Sequence, residues 1–158
     1  MTAIDTKIHL GWREWVALPD LNIDRIKAKV DTGARTSALH AFEVKPVKRN
    51  GELWVEFAVH PSQKNDAVTL GASPVLDQRV VRDSGGHEEE RFVIQTTLAI
   101  GSDRQPIEMT LTARDSMGFR MLLGRTAMNG RYLVDPGRSY LLGKRRPRSK
   151  GTRTSGKG

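Results

Sequence analysis

The segment with the clearest chemical potential is Val30-Asp31-Thr32-Gly33-Ala34. A carboxylate at the end of an apolar strand, followed by a hydroxyl and a glycine, fits a tight loop. There the hydroxyl and backbone N–H groups can orient the acid, while glycine permits a turn that a side chain would obstruct. Two such loops facing each other bring two carboxylates close enough to share a proton. One then activates water as a general base, and the other, protonated, polarises a peptide carbonyl. Taken alone the tripeptide also suits an ordinary turn, because Asp and Gly are common turn formers. A second copy, Asp83-Ser84-Gly85, raises a single-chain dyad, but the polar Gly86-His87-Glu88-Glu89-Glu90 that follows suits a hairpin tip better. A homodimer supplying Asp31 from each subunit across a two-fold axis is the simpler source of the pair.

Other chemistries find less support. The chain has no cysteine, which excludes thiolate nucleophiles, disulfides and cysteine-held metals. Its four histidines, His9, His40, His60 and His87, are scattered, and no His-Glu-x-x-His pattern occurs, so neither a metal site nor a cofactor is expected. No phosphate-cradling Gly-x-x-x-x-Gly-Lys loop is present. Trp12, Trp15 and Trp54 are expected in the core, with nucleic-acid stacking the weaker alternative.

The elements that must position Asp31 read as short strands. Ile26, Ala28 and Val30 alternate with Lys27 and Lys29, a strand with one buried face. Leu53, Val55, Phe57 and Val59 repeat the pattern after Asn50-Gly51, a strong hairpin signal, with residues 42–47 upstream. Residues 91–100 and 107–112 flank a polar loop at Gly101 and form another hairpin. Met121-Leu122-Leu123 is apolar throughout and suits a central strand, and only residues 125–129, stopped by Gly130, suit a helix. The expected fold is an all-β, closed barrel with one short helix near the C-terminus.

With 158 residues and a 37% hydrophobic fraction, one domain is expected over residues 1–142. From Gly143 onward there are seven cations and no carboxylate, so the net charge of +8 is a cationic segment on a nearly neutral body. Residues 143–158 are expected to form a disordered basic tail attracted to polyanions, including RNA or the ribosome. The absence of a leader-like apolar run suggests a cytoplasmic protein.

These landmarks together carry a resemblance. Val30-Asp31-Thr32-Gly33-Ala34 resembles the active-site loop of retropepsin-like aspartic proteases, and Met121-Leu122-Leu123-Gly124-Arg125 the apolar-Gly-Arg segment that underlies it. Ser84-Gly85-Gly86 and the strand after it resemble the glycine-tipped flap. Gly11-Trp12-Arg13-Glu14-Trp15-Val16, residues 26–41 and residues 119–127 are similar to the small bacterial RimB-like family, labelled ATP-dependent zinc proteases. The resemblance implies a retropepsin-type fold with Asp31, Thr32 and Gly33 as the catalytic loop. It also implies trimming of glutamate tails that a RimK-type ATP-grasp ligase adds to a ribosomal protein. Any ATP dependence then belongs to the ligase, and the acidic tail is the substrate. Arg35, Thr36, Arg91 and Arg125 are the expected substrate-binding set. Retropepsins commonly carry an acid where this chain has Arg35, so its partner is expected to be a substrate carboxylate or, internally, Asp115 or Glu108. The competing reading is a non-catalytic β-barrel module that binds a ribosomal or acidic partner.

Overall fold

A computed structural model describes residues 7–82, 85–113 and 118–143. The strands, in order, are β1 (Ile8–Leu10), β2 (Arg13–Leu18), β3 (Ile23–Val30), β4 (Ser37–His40), β5 (Phe42–Arg49) and β6 (Glu52–Val59). They continue with β7 (Thr69–Pro74), β8 (Asp77–Arg82), β9 (Glu88–Ile100), β10 (Asp103–Thr112), β11 (Met121–Leu123) and β12 (Tyr132–Val134). One short helix, α1 (Arg125–Met128), follows β11, and a 3₁₀ turn, Pro19–Leu21, joins β2 to β3.

The alternation in β3 does what it predicts: Ile26, Ala28 and Val30 are buried while Lys27 and Lys29 face outward. The main sheet runs β10-β4-β11-β3-β2-β9-β8, and an additional β9–β10 pairing bends it into a ring. The seam is narrow, since β2 and β9 meet in register only at Ala17 and Ala99. Side chains fully removed from water, among them Leu18, Ile26, Leu39, Ile94, Leu98, Ile100, Met109 and Leu123, fill its interior. Burial of such aliphatic side chains supplies about 1.5–3 kcal/mol each and dominates folding.

Asn50 and Gly51, both at positive φ (52° and 80°), turn β5 into β6, as a two-residue hairpin loop requires. With β7 they form a separate three-stranded sheet. Gly101, at φ 60°, turns β9 into β10.

A second feature was not anticipated. Parallel strands β1 and β12 pair, and a strap over residues 135–142 lies against the start of β2. Glu14 is fully buried yet satisfied: Gly11 N–H (2.7 Å) and Leu141 N–H (2.9 Å) donate to its Oε2, and Leu142 N–H (3.2 Å) to its Oε1. A buried carboxylate is tolerated only with such partners. Gly11 is required there, because a Cβ would stand 2.2 Å from the Arg138 carbonyl oxygen.

The tryptophans correct the expectation of a core role. All three are half-buried and carry cations on their rings: Arg13 on Trp12 at 4.5 Å, Arg25 on Trp15 at 4.0 Å, and Arg49 on Trp54 at 4.3 Å. A core this rich in aliphatic side chains leaves the large rings to cover its margins, where a guanidinium can shield the exposed face. Among the described residues no helix is long and apolar enough to cross a membrane. The basic segment 144–158 lies outside the described residues.

Candidate active site

β3 ends at Val30 and β4 begins at Ser37, and the loop between them carries Asp31. β11 is wedged between these strands, parallel to β3 (Leu123 beside Val30) and antiparallel to β4 (Met121 beside Leu39). This insertion fixes both feet of the loop on one short apolar strand.

The lacing is dense. Asp31 N–H donates to Leu123 O (2.9 Å), Arg125 N–H to Ala34 O (2.8 Å) and Thr126 N–H to Arg35 O (3.0 Å). Gly124 N–H donates to the hydroxyl of fully buried Ser37 (2.9 Å), and the Arg125 guanidinium to Thr32 O (3.1 Å). Gly124 sits so close beneath the loop that a Cβ would lie 2.5 Å from the Thr36 carbonyl carbon. The Asp31 carboxylate accepts from Gly33 N–H (3.0 Å), and its side chain stays partly accessible. The group that orients the acid is thus the Gly33 backbone, while Thr32 is exposed. The result is a carboxylate at the surface on a loop that cannot readily shift, suited to proton transfer with a water molecule.

β8 and β9 form the expected hairpin, with Arg82 opposite Glu88. Gly85 and Gly86, the latter at φ 87°, are exposed at its tip. Asp83 and Ser84 lie outside the described residues. Two of the three flap glutamates have cations beside them: Glu88 pairs with Arg82, and Glu89 with Arg91 (3.0 Å). Arg91 therefore meets a carboxylate of its own strand.

Arg35 is exposed and borders a cavity of about 340 Å³ lined also by Gln95, Glu108, Thr126 and Ala127. Glu108, one of its expected internal partners, instead meets Arg79 (3.1 Å); Asp115 lies outside the described residues. Arg79 also holds Asp77 (2.9 Å). That hydrogen bond, reinforced by Gln78 N–H, keeps the Asp77 carboxyl below the usual carboxylate range. Among the described residues Arg35 makes no ion pair. Arg125 differs, because its guanidinium supports the loop through Thr32 O. Thr36 lies with its backbone against Gly124. His40, a conceivable neighbour of Asp31, stands at the far end of β4, where its N–H bonds Arg120 O (2.8 Å). Among the described residues no three His, Asp or Glu side chains converge as metal ligands would.

Residues 9–145 match the RimB-like family, described as the retropepsin-like aspartic endopeptidase RimB. The chain belongs to the RimB-like family. Its Asp31 loop, flap hairpin and inserted β11 are the RimB-like chain's rendering of the retropepsin-like fold. A protein of Shewanella pealeana named probable alpha-L-glutamate ligase is 47% identical over 142 residues, which is 89% of this chain and 31% of that protein. One of the same name from Parasynechococcus marenigrum is 52% identical over 138 residues, 87% of this chain and 30% of that protein. The RimB-like chain thus spans under a third of the length of these relatives. A solved structure from Legionella pneumophila, of unknown function, superposes with a TM-score of 0.72 at 24% identity, covering 85% of this chain and 98% of that one. It shares the fold.

Sequence reasoning placed the end of β3 at Asp31, a hairpin before residue 100 and the short strand β11. It missed Ser37, whose hydroxyl ties the loop to Gly124, and Arg79, which takes Glu108. A buried serine directly after the Asp-Thr-Gly loop is a faint signal; Arg79 gave none, since its partner lies on another strand.

Proposed function

We propose that this domain is an aspartic-type peptidase that trims glutamate-rich tails from a protein, a ribosomal protein extended by a RimK-type ATP-grasp ligase. The observation that carries the reading is the accessible Asp31 carboxylate, set on a loop laced to β11 and α1 by backbone and side-chain bonds. Its relatives support the substrate class: they are named glutamate ligases, and this domain corresponds to about a third of each. A domain carried on the same chain as a ligase is well placed to act on the ligase's product.

In the proposed reaction ionised Asp31 takes a proton from water, and the resulting oxygen nucleophile attacks the scissile carbonyl carbon. A second, protonated carboxyl hydrogen-bonds the carbonyl oxygen, and collapse of the tetrahedral intermediate breaks the C–N bond as the nitrogen leaves protonated. Asp31 of a second copy supplies that carboxyl. Arg35, open to solvent beside Gln95 and Thr126, receives a substrate carboxylate, because a guanidinium matches that geometry in two parallel hydrogen bonds.

The test is incubation of a glutamate-tailed peptide with the wild-type chain and with Asp31→Asn, with products read by mass spectrometry. Shortened peptides from the wild type and none from the folded variant are expected. No shortening by either chain, with binding intact, would replace the peptidase with a binding module.

A further inference from the structure

The catalytic reading leaves one strongly charged face unused. On β2, Glu14 and Val16 turn inward while Arg13 and Trp15 turn out. The register sets Arg13 opposite Lys29 and Trp15 opposite Lys27 on β3. Arg25 lies 4.0 Å over the Trp15 ring, and Lys27 Nζ 5.3 Å from it. Trp15 stacks on Tyr140 at 6.0 Å and 16°; Arg13 then lies 4.8 Å from Tyr140 and 4.5 Å from Trp12. Cations and rings therefore alternate in a ladder across the outer face of two strands. Exposed Asp24 stands beside Arg25 at the far end.

Two physical consequences follow from the ladder. Stacking limits the rotamers of long side chains before any ligand arrives, which lowers the entropy lost on binding. It also sets a guanidinium over the Trp12 and Trp15 rings, which competes with base stacking there. What the ladder offers outward is N–H edges.

Those edges have a direction. Lys27, Lys29 and Asp31 occupy alternate positions along β3 and its exit, separated by about 6.6 Å at the rise of a strand. An extended peptide repeats its same-side residues at that interval. We propose that the outer face of β2 and β3, through Arg13, Arg25, Lys27 and Lys29, is a docking track for the acidic stretch of an extended substrate and leads one end of it to Asp31. This proposal rests on the peptidase reading of Asp31 and names the surface that selects its substrate.

The experiment uses the full chain carrying Asp31→Asn, so that binding is read without turnover. Fluorescence anisotropy measures labelled hexaglutamate, an alternating Glu-Gln hexamer, a block hexamer of the same charge, and an oligouridylate. Arg25→Gln with Lys27→Gln should weaken hexaglutamate binding by roughly threefold to thirtyfold, since each exposed ion pair contributes modestly. The melting temperature should fall by no more than a few degrees, the effect of losing exposed cation–π contacts, and the alternating peptide should bind more tightly than the block peptide. Unchanged affinity in the double variant, or equal binding of the two mixed peptides, overturns the track. Oligouridylate that displaces hexaglutamate through the same two residues also overturns it, in favour of a nucleic-acid surface. Docking through these residues without hydrolysis by the wild type would remove the peptidase reading alone; hydrolysis with docking insensitive to the double variant would remove the track alone.

Discussion

Gly124→Ala isolates the support of the Asp31 loop from the chemistry proposed for it. Gly124 is in ordinary extended backbone (φ −93°, ψ 174°), so alanine adds no conformational strain and the whole effect is steric. Its Cβ would stand 2.5 Å from the Thr36 carbonyl carbon and 2.8 Å from Ser37 N. Both neighbours are backbone, so no rotamer relieves the clash, and loop and strand must part by about 0.9 Å to reach normal contact at 3.4 Å. Overpacking of this kind costs about 1–3 kcal/mol. Stretching the buried Gly124–Ser37 hydrogen bond adds about 1 kcal/mol. For a domain of this size the melting temperature should fall by roughly 7–14 °C. A displacement of about 1 Å at a reacting group costs roughly 100-fold in rate, so kcat/KM on a glutamate-tailed peptide should drop by about that factor. Gly137→Ala is the control, since its Cβ would meet only Asp135 Oδ1 at 3.6 Å. Calorimetry and steady-state kinetics decide the matter. A Gly124→Ala chain that melts within 2 °C of wild type and turns over within threefold of it would refute the idea that β11 fixes the loop.

Three further outcomes are expected. Glu14→Gln keeps one oxygen acceptor but turns an NH₂ toward a backbone donor, and should cost about 1–3 kcal/mol in denaturant unfolding without altering KM. Arg35→Ala should lower kcat/KM for a glutamate-tailed peptide by roughly tenfold to a hundredfold, the range for a lost charged hydrogen bond, while a glutamine-tailed peptide is unaffected; equal losses on both would remove Arg35 from specificity. Burial, followed by its hydrogen bond to Asp103 (2.6 Å), raises the Tyr132 phenol above its ordinary range. Because the native state favours the neutral phenol, its contribution to stability is present below the unfolded pKa of about 10 and is lost as pH rises through the folded value. Phenolate absorbance should therefore show a late alkaline phase that Tyr132→Phe abolishes.

What the sequence disclosed, and what it concealed, divides by the range of the interactions. β3, the Asn50-Gly51 hairpin and β11 were legible because each is specified within a few residues: alternation, a positive-φ turn, an uninterrupted apolar triplet. The Asp31 loop was legible as a motif, and its support by Gly124 and Arg125 followed from the resemblance. β2 was not legible, because Glu14 puts a charge where alternation demands an apolar residue. That charge is compatible with burial because three N–H groups meet it, and two of them, on Leu141 and Leu142, lie more than a hundred positions away. The parallel β1–β12 pair shares this non-local origin. The outward cations of β3 were visible, but their joining with Trp12, Trp15 and Tyr140 required the fold.

The Glu14 clasp also bears on the order in which the chain acquires its structure. Two of its three donors are separated from it by 127 and 128 positions, so the loop it closes spans nearly the whole domain. The entropy of closing a loop rises only logarithmically with its length, each doubling costing about 0.6 kcal/mol, so a clasp that fastens the two ends of the domain costs little more than one of half the span. Leu141 and Leu142 are the donors made last, so Glu14 cannot gain its full set of N–H partners until they have been synthesised. Completion of the clasp is in this way coupled to residues 141 and 142, and a chain that lacks them retains, of these three donors, Gly11 N–H alone.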